Sequence, residues 1–236
     1  MKSVVIIPTY NEIDNIEKIT SEILKTVPSN LDIVIVDDNS NDGTVEVIDR
    51  ISNERIIPIH RKNMKSFGGS YKDGFDFALK NNYDYIFEMD ADFSHPVEML
   101  PILIKELKNS DVIIGSRYIK GGDLQKFSVI RKVFSKLANL YSKTLTGLPV
   151  RDITSGFVGY KREVLSNIDL NNIKSEGYGF QIEMKYQAYK KGFSFKEIPI
   201  VFVDRINGSS KLGKKMIGEA FFVCLKIAFS RYSNGL

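Results

Sequence analysis

The chain has 236 residues, 43% hydrophobic and 26% charged. That composition excludes a disordered, collagen-like or multi-span membrane protein and suits one α/β domain with a large core. The single cysteine, Cys224, cannot form an internal disulfide. The N-terminus runs straight into Val4-Val5-Ile6-Ile7 without the segments of a secretory signal, so a cytoplasmic location is expected. The net charge of +4 hides an asymmetry: residues 1–116 carry 12 Lys+Arg against 20 Asp+Glu, and residues 117–236 carry 21 against 9. An acidic half suits a divalent cation, and a basic half suits phosphates or an anionic membrane surface; uneven solvated faces are the alternative. Nucleic acid is not an expected partner, because the basic residues are dispersed through an apolar pattern without a zinc knuckle, an aromatic RNA-binding run or a recognition helix.

Short apolar runs alternate with helical patterns in chain order. Val4–Ile7, Ile33–Val36, Ile56–Ile59, Tyr85–Met89 and Val112–Ile114 read as strands. Residues 13–27, 44–51, 70–80 and 98–107 read as the helices between them. The strands are continuously apolar, so a mostly parallel sheet flanked by helices is predicted, with ligands gathering at the carboxyl ends of the strands. Beyond Arg117 come a helical stretch over 127–146, a Ser155-Gly156-Phe157-Val158-Gly159-Tyr160 segment, a helix near 181–191 and a strand over 195–203. A C-terminal amphipathic helix over 214–232 carries Met216, Ile217, Ala220, Phe221, Cys224, Ile227 and Ala228 at helical spacing. Its apolar run, broken by Glu219 and Lys226, is too short to span a bilayer.

Polar motifs fall at the strand ends. Val4–Ile7 leads into Pro8-Thr9-Tyr10-Asn11-Glu12, Ile33–Val36 into Asp37-Asp38-Asn39-Ser40, and Tyr85–Met89 into Asp90-Ala91-Asp92. Residues Asn39–Gly43 read as a turn and helix start. Asp37 and Asp38 close an apolar strand and need donors such as ribose hydroxyls or base N–H groups. A bare D-x-D is ordinarily a solvated turn. Behind a buried strand, however, two carboxylates two residues apart present hard oxygen ligands to Mg2+ or Mn2+ and leave positions open for a diphosphate.

These motifs, with Gly115-Ser116-Arg117-Tyr118 and Phe202-Val203-Asp204-Arg205 followed by Gly208-Ser209-Ser210-Lys211, resemble the inverting family 2 glycosyltransferases along essentially the whole chain. Gly177-Tyr178-Gly179-Phe180-Gln181-Ile182-Glu183-Met184 and the Phe-Val-Asp-Arg to Ser-Lys-Leu-Gly segment are similar to the dolichol-phosphate (polyprenol-phosphate) mannosyltransferase branch. The resemblance implies a GT-A type, Rossmann-like domain over residues 1–213. The helix over 214–236 would then associate with a membrane or a partner. It also implies a GDP-mannose donor site: Pro8, Tyr10, Glu12, Val36 and Asp38 around the guanosine, Asp90 and Ala91 beside it, Asp92 with Asp90 on Mg2+ or Mn2+, and Arg205 and Lys211 folded over the diphosphate. A divalent ion and two cationic groups would stabilise the leaving diphosphate more in the transition state than in the ground state. Asp92, Arg205 and Lys211 are thus the expected catalytic residues. Some relatives carry a carboxamide two residues after the second Asp where this chain has Ser94, followed by His95-Pro96. His95 reads as structural, and His60 closes a strand.

On the acceptor side the resemblance points to Arg117, which also borders the donor site, and to Arg131 and Ser135, one helical turn apart, converging on the phosphate of a dolichyl or polyprenyl acceptor. A phosphate acceptor is already ionised near neutral pH and needs no general base, which fits a chain with two histidines. The expected reaction is mannose transfer from GDP-mannose by in-line displacement with inversion, at the cytoplasmic face of a membrane and with small membrane subunits as possible partners. Two alternatives remain: another donor such as UDP-glucose or a non-phosphate acceptor on the same machinery, and a non-catalytic scaffold subunit.

Overall fold

The computed structural model describes residues 1–62, 66–204 and 214–233. Strands β1 (Ser3–Thr9), β2 (Leu31–Asp37), β3 (Ile56–His60), β4 (Tyr85–Glu88), β5 (Val112–Ser116), β7 (Val158–Lys161) and β8 (Phe195–Pro199) form one sheet in the order β3-β2-β1-β4-β7-β5-β8. Strands β6 (Asp123–Gln125) and β9 (Val201–Val203) form a second, parallel pair. Every neighbouring pair in the large sheet is parallel except the two made by β7, which runs antiparallel to β4 and β5. The strand interiors Val4–Ile7 and Ile33–Val36 are fully buried, as their unbroken apolar runs predict.

The helices are α1 (Ile16–Thr26), α2 (Thr44–Arg50), α3 (Phe67–Lys80), α4 (Leu100–Glu106), α5 (Val129–Thr146), α6 (Arg162–Ser166), α7 (Tyr178–Lys190) and α8 (Lys214–Ser233). Local chemistry sets several boundaries. Ser66 caps α3 by accepting from the Gly69 N–H at 3.0 Å, so the helix starts before the predicted Ser70. Ser128 caps α5, and Gly147 ends it in the left-handed region at φ 65°. Gly74 is needed for packing, since a Cβ there would stand 2.5 Å from Ile6 Cγ2 and hold α3 off the sheet.

Three features depart from the sequence reading. The Ser155–Tyr160 segment contributes β7, inserted between β4 and β5. The apolar run over 195–203 is two strands, because after Pro199 the chain leaves the large sheet and pairs with β6. The C-terminal helix forms as predicted, yet it is apolar on more than one side: Cys224 and Ile227 enter the core, while Ile217, Phe221, Phe222, Phe229 and Tyr232 are exposed. Among the described residues no helix is long and apolar enough to cross a membrane.

Candidate functional site

Because β1, β2, β4 and β5 point the same way, their carboxyl ends bring four loops to one edge of the sheet. The first two loops are knitted together. Asp37 accepts from the Thr9 hydroxyl at 3.0 Å, the Ser40 hydroxyl at 2.6 Å and the Ser40 N–H at 2.9 Å. The Asn11 N–H donates to Ser40 and the Glu12 N–H to Thr44, and Asn11 and Asn39 take the left-handed backbone that Asn tolerates. Asp37 is therefore a framework residue of this edge. Asp38 meets protein donors: Arg61 pairs with one oxygen at 2.5 Å, and the Ser66 N–H donates to the other at 2.6 Å. Burial raises the Asp38 pKa, against the lowering pull of Ser66 and Arg61. Arg61 went unnoticed in the sequence, although its place just past β3 was a positional signal. Pro8, Tyr10 and Glu12 line the same edge, partly exposed, whereas the Val36 side chain lies in the core and can offer a ligand only its backbone.

The Asp90-Ala91-Asp92 loop leaves β4 by a tight path. Phe93 takes φ 61°, a conformation that is costly for a bulky residue and tends to mark functional loops. Asp92 is 5% exposed and accepts from the Ser94 N–H at 3.1 Å, and Ala91 packs into the core. His95 is buried, stacks on Phe157 at 5.0 Å and accepts the Asp90 N–H on Nδ1 at 3.1 Å. Burial depresses its pKa to about 4, so the imidazole is a neutral brace for the loop. His60 pairs with Asp49 at 2.9 Å, on α2. Among the described residues no three metal-ligating side chains form a closed cage. Two hard carboxylates on one loop fit an ion that takes its remaining ligands from a diphosphate and water.

Arg117, just past β5, is committed to Asp152. Its Nε and Nη2 reach the two carboxylate oxygens at 2.7 and 2.6 Å, and Nη2 also donates to Thr154 at 2.8 Å. Burial opposes the charged guanidinium, but Asp152 outweighs it and raises the Arg117 pKa. Tyr118, next in the chain, shares a 2.5 Å hydrogen bond with Ser135 of α5. Arg131 forms an ion pair with Asp204 and sits 4.4 Å over the Phe127 ring.

Phe202 of β9 joins the two sides of the site: its ring lies 5.4 Å from His95, 5.9 Å from Phe127 and 5.3 Å from the Arg117 guanidinium. The structure thus gathers the D-x-D loop, Arg117, Arg131 and Ser135 into one neighbourhood. Tyr118 and Phe202 stand in the motifs that carry the family resemblance, whereas Asp152 gave no sequence signal. Arg205 and Lys211 lie outside the described residues. A separate cavity of about 670 Å3, between α1 and α2 and lined by Glu17, Thr20 and Arg50 among others, contains none of these groups.

Comparison with known proteins identifies the family. The chain is 41% identical to the polyprenol monophosphomannose synthase of Mycolicibacterium smegmatis over 94% of its own length and 84% of the relative's. It is 39% identical to the undecaprenyl-phosphate mannosyltransferase of Micrococcus luteus, covering 93% and 91%. It is 38% identical to the dolichol-phosphate mannosyltransferase of Pyrococcus furiosus, covering 93% of this chain and 61% of that longer protein. In fold it resembles glucosyl-3-phosphoglycerate synthase from Mycobacterium tuberculosis, solved with Mn2+, UDP and glucosyl-3-phosphoglycerate, with a TM-score of 0.71 at 15% identity over 97% of this chain and 80% of that one. Residues 4–169 match glycosyl transferase family 2, and with relatives this similar over nearly its whole length the chain belongs to that family.

Proposed function

We propose that this chain transfers mannose from GDP-mannose to a polyprenyl or dolichyl phosphate with inversion, giving a β-mannosyl phosphate lipid and GDP. The observation that carries the reading is the joining, through Phe202, of a D-x-D loop and a cluster of Arg117, Arg131 and Ser135. The chain is also similar over more than nine-tenths of its length to proteins named as transferring mannose to lipid phosphates. Pro8, Tyr10, Glu12, Val36 and Asp38 hold the nucleoside, and Asp90 and Asp92 hold a divalent cation, Mg2+ or Mn2+. That cation supplies Lewis-acid stabilisation of the diphosphate as it departs. Arg205 and Lys211 add positive charge to the same group. Arg117, fixed by Asp152, orients the acceptor phosphate with Arg131 and Ser135 for in-line attack on the anomeric carbon. The acceptor arrives ionised, so no residue has to take a proton from it, in keeping with the neutral, hydrogen-bonded state of His95.

A lipid acceptor requires a membrane surface. Helix α5 exposes Val129, Ile130, Val133, Phe134, Leu137 and Leu140, and the adjoining α8 exposes Phe222 and Phe229. Lys132, Lys136 and Lys226 stand among them. An apolar face flanked by cations suits the headgroup region of an anionic bilayer. This reading places the enzyme peripherally at the cytoplasmic face, on lipid directly or through small membrane subunits, with residues 214–236 as part of the contact. Incubation with labelled GDP-mannose, Mn2+ or Mg2+ and a polyprenyl phosphate should move label into the organic phase. Because the solved neighbours hold UDP, UDP-glucose is the informative parallel donor. Label transferred from UDP-glucose but not from GDP-mannose refutes the donor assignment, and no transfer from either refutes catalysis.

A further inference from the structure

Helix α7 starts without a cap of its own, because Gly177 at its N-cap has no side chain to accept an N–H of the first turn. The acceptor comes from α8 instead. The Glu219 carboxylate takes the Gly177 N–H on one oxygen at 2.9 Å and the Glu176 N–H on the other. It therefore holds two successive backbone N–H groups at the amino end of α7, where the helix dipole also favours negative charge.

The same loop is fastened to α3 on its other side. The Gly68 N–H donates to the Glu176 carbonyl at 2.9 Å, and the Lys72 ammonium donates to the Ile173 carbonyl. The approach is close enough to require glycine: a Cβ on Gly68 would stand 2.6 Å from the Ser175 carbonyl oxygen and 3.0 Å from the Phe180 ring. Tyr71 of α3 continues the contact by stacking on Phe180 at 5.9 Å. Glu176 is thus pinned through its own backbone, with its N–H on α8 and its carbonyl on α3.

The start of α3 borders the donor edge. Ser66 caps the helix with its hydroxyl and gives its own N–H to Asp38 at 2.6 Å. Arg61 spans the same corner: it reaches Asp38 at 2.5 Å, Asp73 of α3 at 2.7 Å, and the Ser66 carbonyl and Ser70 hydroxyl at 3.3 Å each. Asp38 is 6% exposed, so the direction of its carboxylate is set by these donors. A shift in the start of α3 moves one of them. An unbroken run of contacts therefore leads from α8 to Asp38 through Glu219, Glu176, Gly68 and Ser66.

We infer that Glu219 is a positioning residue for the nucleotide: by pinning Glu176 and Gly177 it fixes the start of α3, and through the Ser66 N–H it fixes the Asp38 carboxylate. Glu219 touches no substrate and acts only through Asp38, so the inference rests on the reading of Asp38 as a nucleoside group. Helix α8, read above as part of the membrane contact, is thereby also part of the donor site's support.

Hydrogen exchange on the free full-length chain reads the relay without any ligand. In Glu219→Ala the Ser66 and Gly68 amides should exchange about tenfold faster or more, since their protection follows local opening. Glu219→Gln keeps one acceptor oxygen and should fall between that variant and wild type; it carries the comparison if Glu219→Ala does not fold. Val223→Ala is the control. Val223 packs on α7, where a Cβ on Gly179 would meet its Cγ2 at 3.0 Å, so its loss loosens α8 without touching the Glu176 and Gly177 N–H groups. Unchanged protection in the Glu219 variants, or an equal loss in Val223→Ala, overturns the relay. GDP affinity with Mn2+, measured by calorimetry, should fall about fivefold or more in Glu219→Ala, and Asp38→Asn added to it should cost much less than the product of the two single losses, as for members of one hydrogen-bond network. Unchanged GDP affinity in Glu219→Ala, or losses that multiply to within about twofold, overturns positioning through Asp38. An Asp38→Asn variant that binds GDP like wild type overturns the nucleoside reading, and hydrogen exchange then decides the relay by itself.

Discussion

Arg117 and Asp152 form a bidentate ion pair that also captures the Arg117 backbone N–H, which donates to the same carboxylate at 2.9 Å. Asp152 is fully buried, so the pair locks the end of β5 to the loop before β7 and aims the guanidinium. Asp152→Ala leaves a buried cation without its counterion and should cost about 3 to 5 kcal/mol of stability. Arg117→Ala added to it should cost much less than the sum of the two single variants. Urea midpoints of the four proteins measure the coupling, and additivity within about 0.5 kcal/mol would refute it.

Asp92→Asn should nearly abolish transfer while the fold persists, because it removes a charged ligand from a loop rather than an apolar core group. Circular dichroism monitors the fold and label transfer the activity. Activity within about twofold of wild type, ~0.4 kcal/mol of barrier, would remove Asp92 from the metal assignment. Thorough chelation should mimic the variant, with activity restored by added Mn2+ or Mg2+.

Arg205→Ala and Lys211→Ala should lower kcat more than they weaken GDP binding, since contacts to a departing diphosphate strengthen as its charge grows. Turnover and GDP affinity measured on the same preparations separate the two effects. An equal loss in both would make these residues simple nucleotide-binding groups.

Phe134→Ser with Leu137→Ser replaces two exposed apolar residues of α5 and should weaken co-sedimentation with phosphatidylglycerol vesicles about tenfold or more, given the apolar area lost from the interface. Point substitutions are a cleaner test than removal of α8, which would strip Cys224 and Ile227 from the core and the Glu219 carboxylate from the Gly177 N–H that it accepts at 2.9 Å. Unchanged vesicle binding with an intact fold would take α5 off the membrane.

Asp111 gives a pH-dependent element of stability. Its carboxylate accepts from the Ser194 hydroxyl at 2.7 Å, the Ser194 N–H at 3.0 Å and Lys161 at 3.0 Å, joining β5, β7 and the approach to β8. Burial works against ionisation, but Ser194 and Lys161 outweigh it, and the native pKa lies below 3.8. The native state therefore holds its proton less tightly than the unfolded chain. The stabilisation is present above the unfolded value and is lost as pH falls below it through the native pKa. The stability gap between wild type and Asp111→Ala should be about 1 to 3 kcal/mol at pH 7 and should narrow below about pH 4. A gap independent of pH would show that Asp111 acts without its charge.

The sequence by itself determined the alternation of elements, the parallel strands β1 to β5 and the polar loops at their carboxyl ends. Buried parallel strands must be continuously apolar, and the first polar residues after them must lie at the sheet edge. Only the tertiary structure decided that β7 enters the sheet antiparallel, that the run over 195–203 turns into a second sheet, and that Asp152, Phe202, Tyr118 and Arg61 complete the site. Asp152 lies 35 residues from the Arg117 it fixes, and Tyr118 lies 17 from the Ser135 it meets. Such partnerships leave no trace in periodicity or spacing, because they depend on which loops the finished sheet brings together and not on any local preference of the chain.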